Sequence, residues 1–455
     1  MKMKTELKEK YGLITAIAMV VGIVIGSGVF FKAEKVLNAT GGNLPLGILA
    51  WIIGGLIMIT CAYTFAVMAT RYQYVNGIVD YAEATMGGQY GYYVGWFMAL
   101  IYYPTLTSVL AWVSARYTSV LFGFDITGGE CMTIACFFLI ASFALNALSP
   151  VLSGKFQVST TVIKLIPLFL MAVVGTIVGL SNGMTAHNFT NVVQKVDTSH
   201  ALFTAVVATA FAYEGWIIAT SINAELKNSK RNLPIALVCG TFIIMAVYIL
   251  YYVGLAGAVS NEVMMAGGEA GAKLAFETIF SNIGGTLIFV FVIISCLGTL
   301  NGLMLGCTRG IYSIAARHQG PRPDIFNQID PVTNMPTNSS VLGVLLCGIW
   351  LLFFYGANLT APWFGFFCFD SSELPIVTLY AFYIPIFLMM MKKEKDLSFF
   401  KRLLMPTIAL AGCIFMILAA CFAHGKAVIA YLIIFAVIMI IGILFGKTKE
   451  SFSAR

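Results

Sequence analysis

The stretch Gly22-Ile23-Val24-Ile25-Gly26-Ser27-Gly28-Val29-Phe30 lies in a run with no charged residue between Lys10 and Lys32. That run is long enough to cross a bilayer as a helix, yet its centre carries the residues least able to hold a helix together. A break at membrane depth leaves backbone N–H and C=O groups where water cannot satisfy them. Such a break is tolerated only where it lines a polar cavity or grips a solute.

Working outward, uncharged runs of similar length recur along the whole chain. Of 455 residues, 59% are hydrophobic and only 10% charged, and the mean hydropathy is +0.89. That is more apolar side chain than one soluble core can bury, so the composition predicts an all-α polytopic membrane protein. The predicted spans are 13–38, 45–70, 90–120, 131–150, 156–180, 201–224, 233–259, 282–308, 339–355, 362–390, 403–423 and 427–446. Residues 72–89 are amphipathic and predict a short helix between spans two and three, and the proline-bearing loop 317–338 predicts a stiff surface connection.

With the N-terminus inside, Lys227, Lys230, Arg231, Arg309, Arg317, Arg322, Lys392, Lys393, Lys401, Arg402 and the basic terminal segments fall in inner loops. The outer loops hold only Lys32, Lys35, Arg116, Lys195, Lys273 and Lys426. This bias predicts two cytoplasmic termini in a plasma membrane, and it assigns the net charge of +7 to topology and anionic lipid without nucleic acid. No cleavable signal peptide is evident, because the first apolar run is too long and lacks a cleavage site.

The ten cysteines stand singly with no C-x-x-C, and the four histidines form no H-E-x-x-H. The pattern therefore calls for no metal, cofactor or disulfide frame and argues against an enzyme. A filter motif for a channel is likewise missing from the sequence. A second interrupted apolar segment, Phe211-Ala212-Tyr213-Glu214-Gly215-Trp216, follows five spans after the first. Two such breaks at that interval are what a five-plus-five inverted repeat places face to face at the membrane midplane.

Four stretches together resemble the amino acid/polyamine/organocation superfamily, in particular bacterial transporters related to the L-type amino acid transporters. They are Gly26-Ser27-Gly28-Val29-Phe30, Phe211-Ala212-Tyr213-Glu214-Gly215-Trp216, Lys230-Arg231-Asn232-Leu233-Pro234-Ile235-Ala236 and Gly298-Thr299-Leu300-Asn301-Gly302. The resemblance covers nearly the whole chain. It implies a LeuT-like fold of 12 transmembrane helices, with spans one and six unwound at the midplane. One permease domain would then run over 1–455, with repeats at 13–180 and 201–390 and extra helices at 403–446. It also implies that no obligatory partner subunit is needed, although mammalian relatives pair with a single-span glycoprotein.

Half-helix ends offer N–H groups to a carboxylate and carbonyls to an ammonium, so an amino acid zwitterion suits paired breaks. The expected contacts are the N–H groups of Ser27 and Gly28 with the Ser27 hydroxyl on one side, and carbonyls of Val24, Phe211 and Glu214 on the other. Gly26 and Gly28 let the backbone approach the ligand. Gly22-x-x-x-Gly26 also reads as a helix-packing motif. By the resemblance, Phe211 is the gate and Asn301 lines the side-chain pocket; interhelical hydrogen bonding is the alternative for Asn301. Aromatic candidates for closing the path further include Trp216, Tyr102 and Tyr103.

Lys164 in span five stands, by the resemblance, where sodium-coupled relatives of this fold hold a cation, which makes transport sodium-independent. Burial would also suit it to proton coupling, and a snorkelling position near the inner interface is the plain alternative. Glu214 departs from the family, which usually has glycine there; it reads as a helix N-cap, a proton carrier or a partner for Lys164 or a cationic substrate. Asp370 and Glu373, three apart, predict two acids on one face of span ten, as proton or cation sites or as solvated groups at its outer end. The sequence therefore predicts a sodium-independent exchanger of neutral L-amino acids working by alternating access. Proton symport and exchange of cationic amino acids or polyamines are the rivals.

Overall fold

The computed structural model describes residues 12–72, 77–219, 226–333 and 335–446. The basic segments at both ends and part of the 72–89 stretch lie outside the described residues, as do residues 220–225 of the sixth predicted span. Among the described residues the chain is helical, and ten helices are long and apolar enough to cross a membrane. Leu13–Gly22 and Thr198–Ala212 are shorter apolar helices.

Local chemistry sets the helix ends. Asn43 caps the Leu44–Ala69 helix by accepting from the Leu46 N–H at 3.0 Å, with Pro45 in the first turn. Asp197 caps Thr198–Ala212 through the His200 N–H at 2.8 Å. The Glu269–Ala315 run is interrupted at Ser281 (φ 64, ψ 167), so its membrane-length part begins just beyond.

The helix predicted over 362–390 starts only at Leu374 and runs to Lys393. Residues 370–373 form a turn in front of it: the Asp370 carboxylate accepts from the Ser372 N–H at 2.7 Å and from the Ser372 hydroxyl. A carboxylate that satisfies early N–H groups stops the helix from extending backwards. Asp370 and Glu373 therefore do not share a helix face. The amphipathic stretch after span two gives a helix over Ile78–Met86.

Contacts divide the chain into two compact units. The first comprises Met1–Thr85, Thr160–Ser295 and Ile376–His424. Its packing depends on glycine: a Cβ at Gly175 would come within 2.7 Å of the Gly254 carbonyl oxygen, and Gly179 and Gly257 meet backbone to backbone. Small residues spaced three or four apart let two helices approach this closely. Trp51 of the Leu44–Ala69 helix fills the centre, with ring centroids 5.6 Å from Tyr213 and 5.7 Å from Tyr248. At the end of this helix Arg71 pairs with Asp396 and lies 3.7 Å from Glu394, whose carboxylate also accepts from the Tyr72 hydroxyl at 2.6 Å.

The second unit comprises Met86–Ser159, Cys296–Pro375 and Gly425–Arg455. A π-helical turn at Met98–Tyr102 precedes Pro104 in its longest helix, where the wider turn accommodates the missing proline N–H. Polar side chains bond across helices within this unit. Ser108 donates to the Cys347 carbonyl at 2.7 Å, Trp350 to that of Leu100 at 3.0 Å and Tyr92 to that of Gly442 at 2.8 Å. All ten cysteines are free thiols.

Candidate functional site

The first unit contains two places where a helix stops and restarts. Leu13–Val24 ends with the Ile25 N–H bonded to the Val21 carbonyl at 2.9 Å. Ile25 then leaves the helical region (φ −63, ψ 108), and a new helix runs over Gly28–Ala39, its first turn closed by Phe31 N–H to Ser27 O at 3.2 Å. Val24, Gly26, Ser27 and Gly28 are all buried. The carbonyl end of one helix and the N–H end of the next thus sit within a few residues of each other, giving opposite partial charges in one place. The second interruption follows Thr198–Ala212. Gly215 has φ +105, a left-handed conformation that glycine adopts without strain, and helix resumes at Trp216.

The two interruptions abut. A Cβ on Gly28 would lie 2.6 Å from the Ala212 Cα and 3.1 Å from the Phe211 carbonyl oxygen, so only glycine fits. The hydroxyl of Tyr248, from the Ser229–Ala258 helix, lies 3.1 Å from the Ala212 carbonyl and 3.3 Å from that of Val24, and donates to either. One phenol thereby serves the carbonyl ends of both interrupted helices. Gly22 is less crowded, since its Cβ would meet only Thr161 Cγ2 at 3.2 Å.

Lys164 is 4% exposed, and its ammonium donates to the Gly22 carbonyl at 2.6 Å. That bond ties the Pro150–Ile163 end of its helix to the last turn of Leu13–Val24. Glu214 is half-buried inside the second interruption. Phe211 packs edge-on to Phe31, with centroids 5.9 Å apart. Trp216 is fully buried against Phe65 and Tyr383.

Asn301 belongs to the second unit. Its amide is engaged by Asn146 (2.9 Å), Ser153 (3.2 Å) and Gln157 (3.1 Å), the interhelical bonding that was the alternative to a pocket-lining role. Asp370 and Glu373 also belong to that unit, in the turn described above, with Glu373 buried. Tyr102 and Tyr103 of the same unit stack edge-on at 5.5 Å.

Two residues of the site went unnoticed in the sequence. Tyr248 stands with Tyr251 and Tyr252 at helical spacing, and a buried tyrosine needs a partner for its hydroxyl; that signal was available. Lys32, counted as an outer-loop cation, is fully buried in the Gly28–Ala39 helix, with its ammonium 5.0 Å from the Phe31 ring and 5.2 Å from that of Phe211. Lys35, in the same helix, lies 4.7 Å over the Phe31 ring.

A multi-pass helical membrane protein whose helices break against one another at a buried, backbone-rich junction has the architecture of a solute transporter. The chain belongs to the amino acid permease family, whose model matches residues 11–444, and through it to the amino acid/polyamine/organocation superfamily. It is similar to the serine/threonine exchanger SteT of Bacillus subtilis, with 29% identity over 90% of this chain and 91% of the relative. It also resembles the human cystine/glutamate transporter, at 25% identity over 72% of this chain and 64% of the relative. The glutamate/serine transporter AimA of Bacillus subtilis is 24% identical over 78% of this chain and 68% of its own length.

Proposed function

We propose that the protein is a sodium-independent exchanger of neutral amino acids, working by alternating access at the junction of the two interrupted helices. The observation that carries this reading is the meeting of Gly28 with Ala212 and Phe211, which puts one helix N-terminus and two carbonyl ends around a single small volume. Such a place offers the N–H groups of Ser27 and Gly28 to a carboxylate and the carbonyls of Val24, Phe211 and Glu214 to an ammonium. Twelve spans, with both termini cytoplasmic, follow if the two interrupted helices each count as one crossing. The inverted repeat over 13–180 and 201–390, with extra helices at 403–446, belongs to the same proposal.

Lys164 supports the absence of sodium coupling, because its ammonium already supplies a fixed cation at the Gly22 carbonyl. Phe211 closes the site as a gate. Asn301 is assigned to bracing within its own unit. Serine and threonine in the names of the related exchanger SteT, and serine in that of AimA, support small neutral side chains as the substrate class.

Proteoliposomes containing the purified protein test the proposal. Labelled serine uptake is expected when the lumen is loaded with serine, with no change when sodium is replaced by potassium. Uptake into empty vesicles driven by an inward proton gradient would instead establish symport, and the carboxylate of Glu214 would be the first group to examine.

A further inference from the structure

The transport reading makes no use of the connection between the Leu374–Lys393 and Phe400–His424 helices, both long and apolar enough to cross a membrane. Residues 394–399 alone join them, a stretch that reaches about 20 Å even when fully extended, so its side chains stay near the level of the lipid headgroups. Around it the chain reads Lys392-Lys393-Glu394-Lys395-Asp396-Leu397-Ser398-Phe399-Phe400-Lys401-Arg402-Leu403-Leu404. Its two acids are occupied: Asp396 pairs with Arg71, while Glu394 lies 3.7 Å from Arg71 and accepts from the Tyr72 hydroxyl at 2.6 Å. Lys393 donates to the Thr85 carbonyl at 2.7 Å, at the end of the Ile78–Met86 helix, and the Arg402 Nε–H to the Met391 carbonyl at 2.8 Å. Lys392, Lys395 and Lys401 are exposed, and among the described residues their ammonium groups have no ion pair. Beside them Phe399 is 68% exposed and Phe400 48%, with Leu403 and Leu404 exposed in the same π-helical turn.

We propose that this connection binds an anionic phospholipid, with Lys392, Lys395 and Lys401 facing the headgroup and Phe399 and its apolar neighbours among the acyl chains. Ammonium groups on long stems beside exposed rings suit the boundary where charge meets hydrocarbon. A soluble anion would use the charges and leave the rings in water, whereas a neutral phospholipid would cover the rings and gain nothing from the cations. A lipid of net negative charge satisfies both. Glu394 and Asp396 are balanced by Arg71 and Lys393, so the three exposed lysines and Arg402 are charge in excess. Each cation near an anionic membrane surface strengthens binding by roughly fivefold. Three of them, adding less than fully, favour an anionic over a neutral lipid by at least about tenfold.

Native mass spectrometry of the purified full chain tests this, with dioleoyl phosphatidylglycerol and dioleoyl phosphatidylcholine as probes, which share acyl chains and differ in headgroup charge. For the wild type, the apparent Kd of the first bound lipid is expected to be at least about tenfold lower for phosphatidylglycerol. Lys392→Gln, Lys395→Gln and Lys401→Gln combined should cut that preference to under about threefold. Lys155→Gln, Lys195→Gln and Lys426→Gln combined, an equal loss of charge at exposed positions elsewhere, should keep it. All six lysines are exposed, so both triple variants are expected to fold, and their unfolding temperatures check it. Phe399→Ser should weaken both lipids by a similar factor. Equal affinity for the two lipids overturns the proposal. So does displacement of phosphatidylglycerol by glycerol 3-phosphate, a preference that survives the first triple variant, or one that the second abolishes as well. None of these readouts involves transport, so a failure here and a failure of serine exchange are separate results.

Discussion

Replacing Gly28 with alanine adds one carbon where the structure has no room for it. The new Cβ would stand 2.6 Å from the Ala212 Cα, about 0.8 Å inside the 3.4 Å at which ordinary contact begins, with the Phe211 carbonyl at 3.1 Å and the Ala212 Cβ at 3.3 Å. Two of these three atoms are backbone, so no side chain can rotate away and the interrupted helices must separate. Overpacking of this kind costs about 1–3 kcal/mol. If closure of the site depends on that contact, the population of the closed state falls by roughly fivefold to 150-fold. Serine exchange by Gly28→Ala in proteoliposomes should fall accordingly, and thermal unfolding in detergent should shift downwards. Gly348→Ala is the control: nothing lies within 4 Å of its Cβ position in the Thr337–Ala357 helix, and alanine gains up to about 1 kcal/mol in helix propensity. A Gly28→Ala protein with wild-type exchange and stability would refute the reasoning, because the close approach would then have no functional weight.

Tyr248→Phe removes the hydroxyl that serves the Val24 and Ala212 carbonyls; stability should drop by about 1–3 kcal/mol, read as a lower unfolding temperature, with exchange reduced. Lys164→Met deletes the charged donor on the Gly22 carbonyl, with a loss of about 1.5–3 kcal/mol in thermal unfolding, and Lys164→Arg should not restore it at the same 2.6 Å separation. Just past the C-terminal end of the Leu44–Ala69 helix, the Arg71 guanidinium holds the Asp396 carboxyl below its usual range. A depressed carboxylate contributes above its ordinary pKa and loses that contribution only as pH falls through the lowered value, so unfolding temperature should show no dependence on this pair between about pH 5 and 8. Both side chains are partly exposed, and Asp396→Asn should change little beyond the salt dependence.

Much of this architecture was legible because apolar runs long enough to cross a bilayer betray themselves whatever they pack against. The helix ends around Gly26-Ser27-Gly28 and Gly215 follow equally from glycine chemistry. The start of the Leu374–Lys393 helix was missed although a signal existed: Asp370 followed three residues later by Glu373, then by Leu374 and Pro375, has the pattern of a helix N-terminus rather than of two acids on a helix face. Depth was the harder matter. Lys32 follows an uncharged run and reads as the first residue outside it, but the chain restarts its helix at Gly28, which carries Lys32 inward to Phe211. The partners of Tyr248 come from segments more than 30 and 200 residues away, a pairing that spacing along one chain cannot encode.

The meeting of Gly175 and Gly179 with Gly254 and Gly257 has a mechanical consequence. With bare backbone pressed on bare backbone, there is no layer of rotatable groups to absorb sliding, so this seam should behave as a weld while other seams shear. Paired spin labels placed on the outer ends of these two helices would then keep one separation throughout the working cycle.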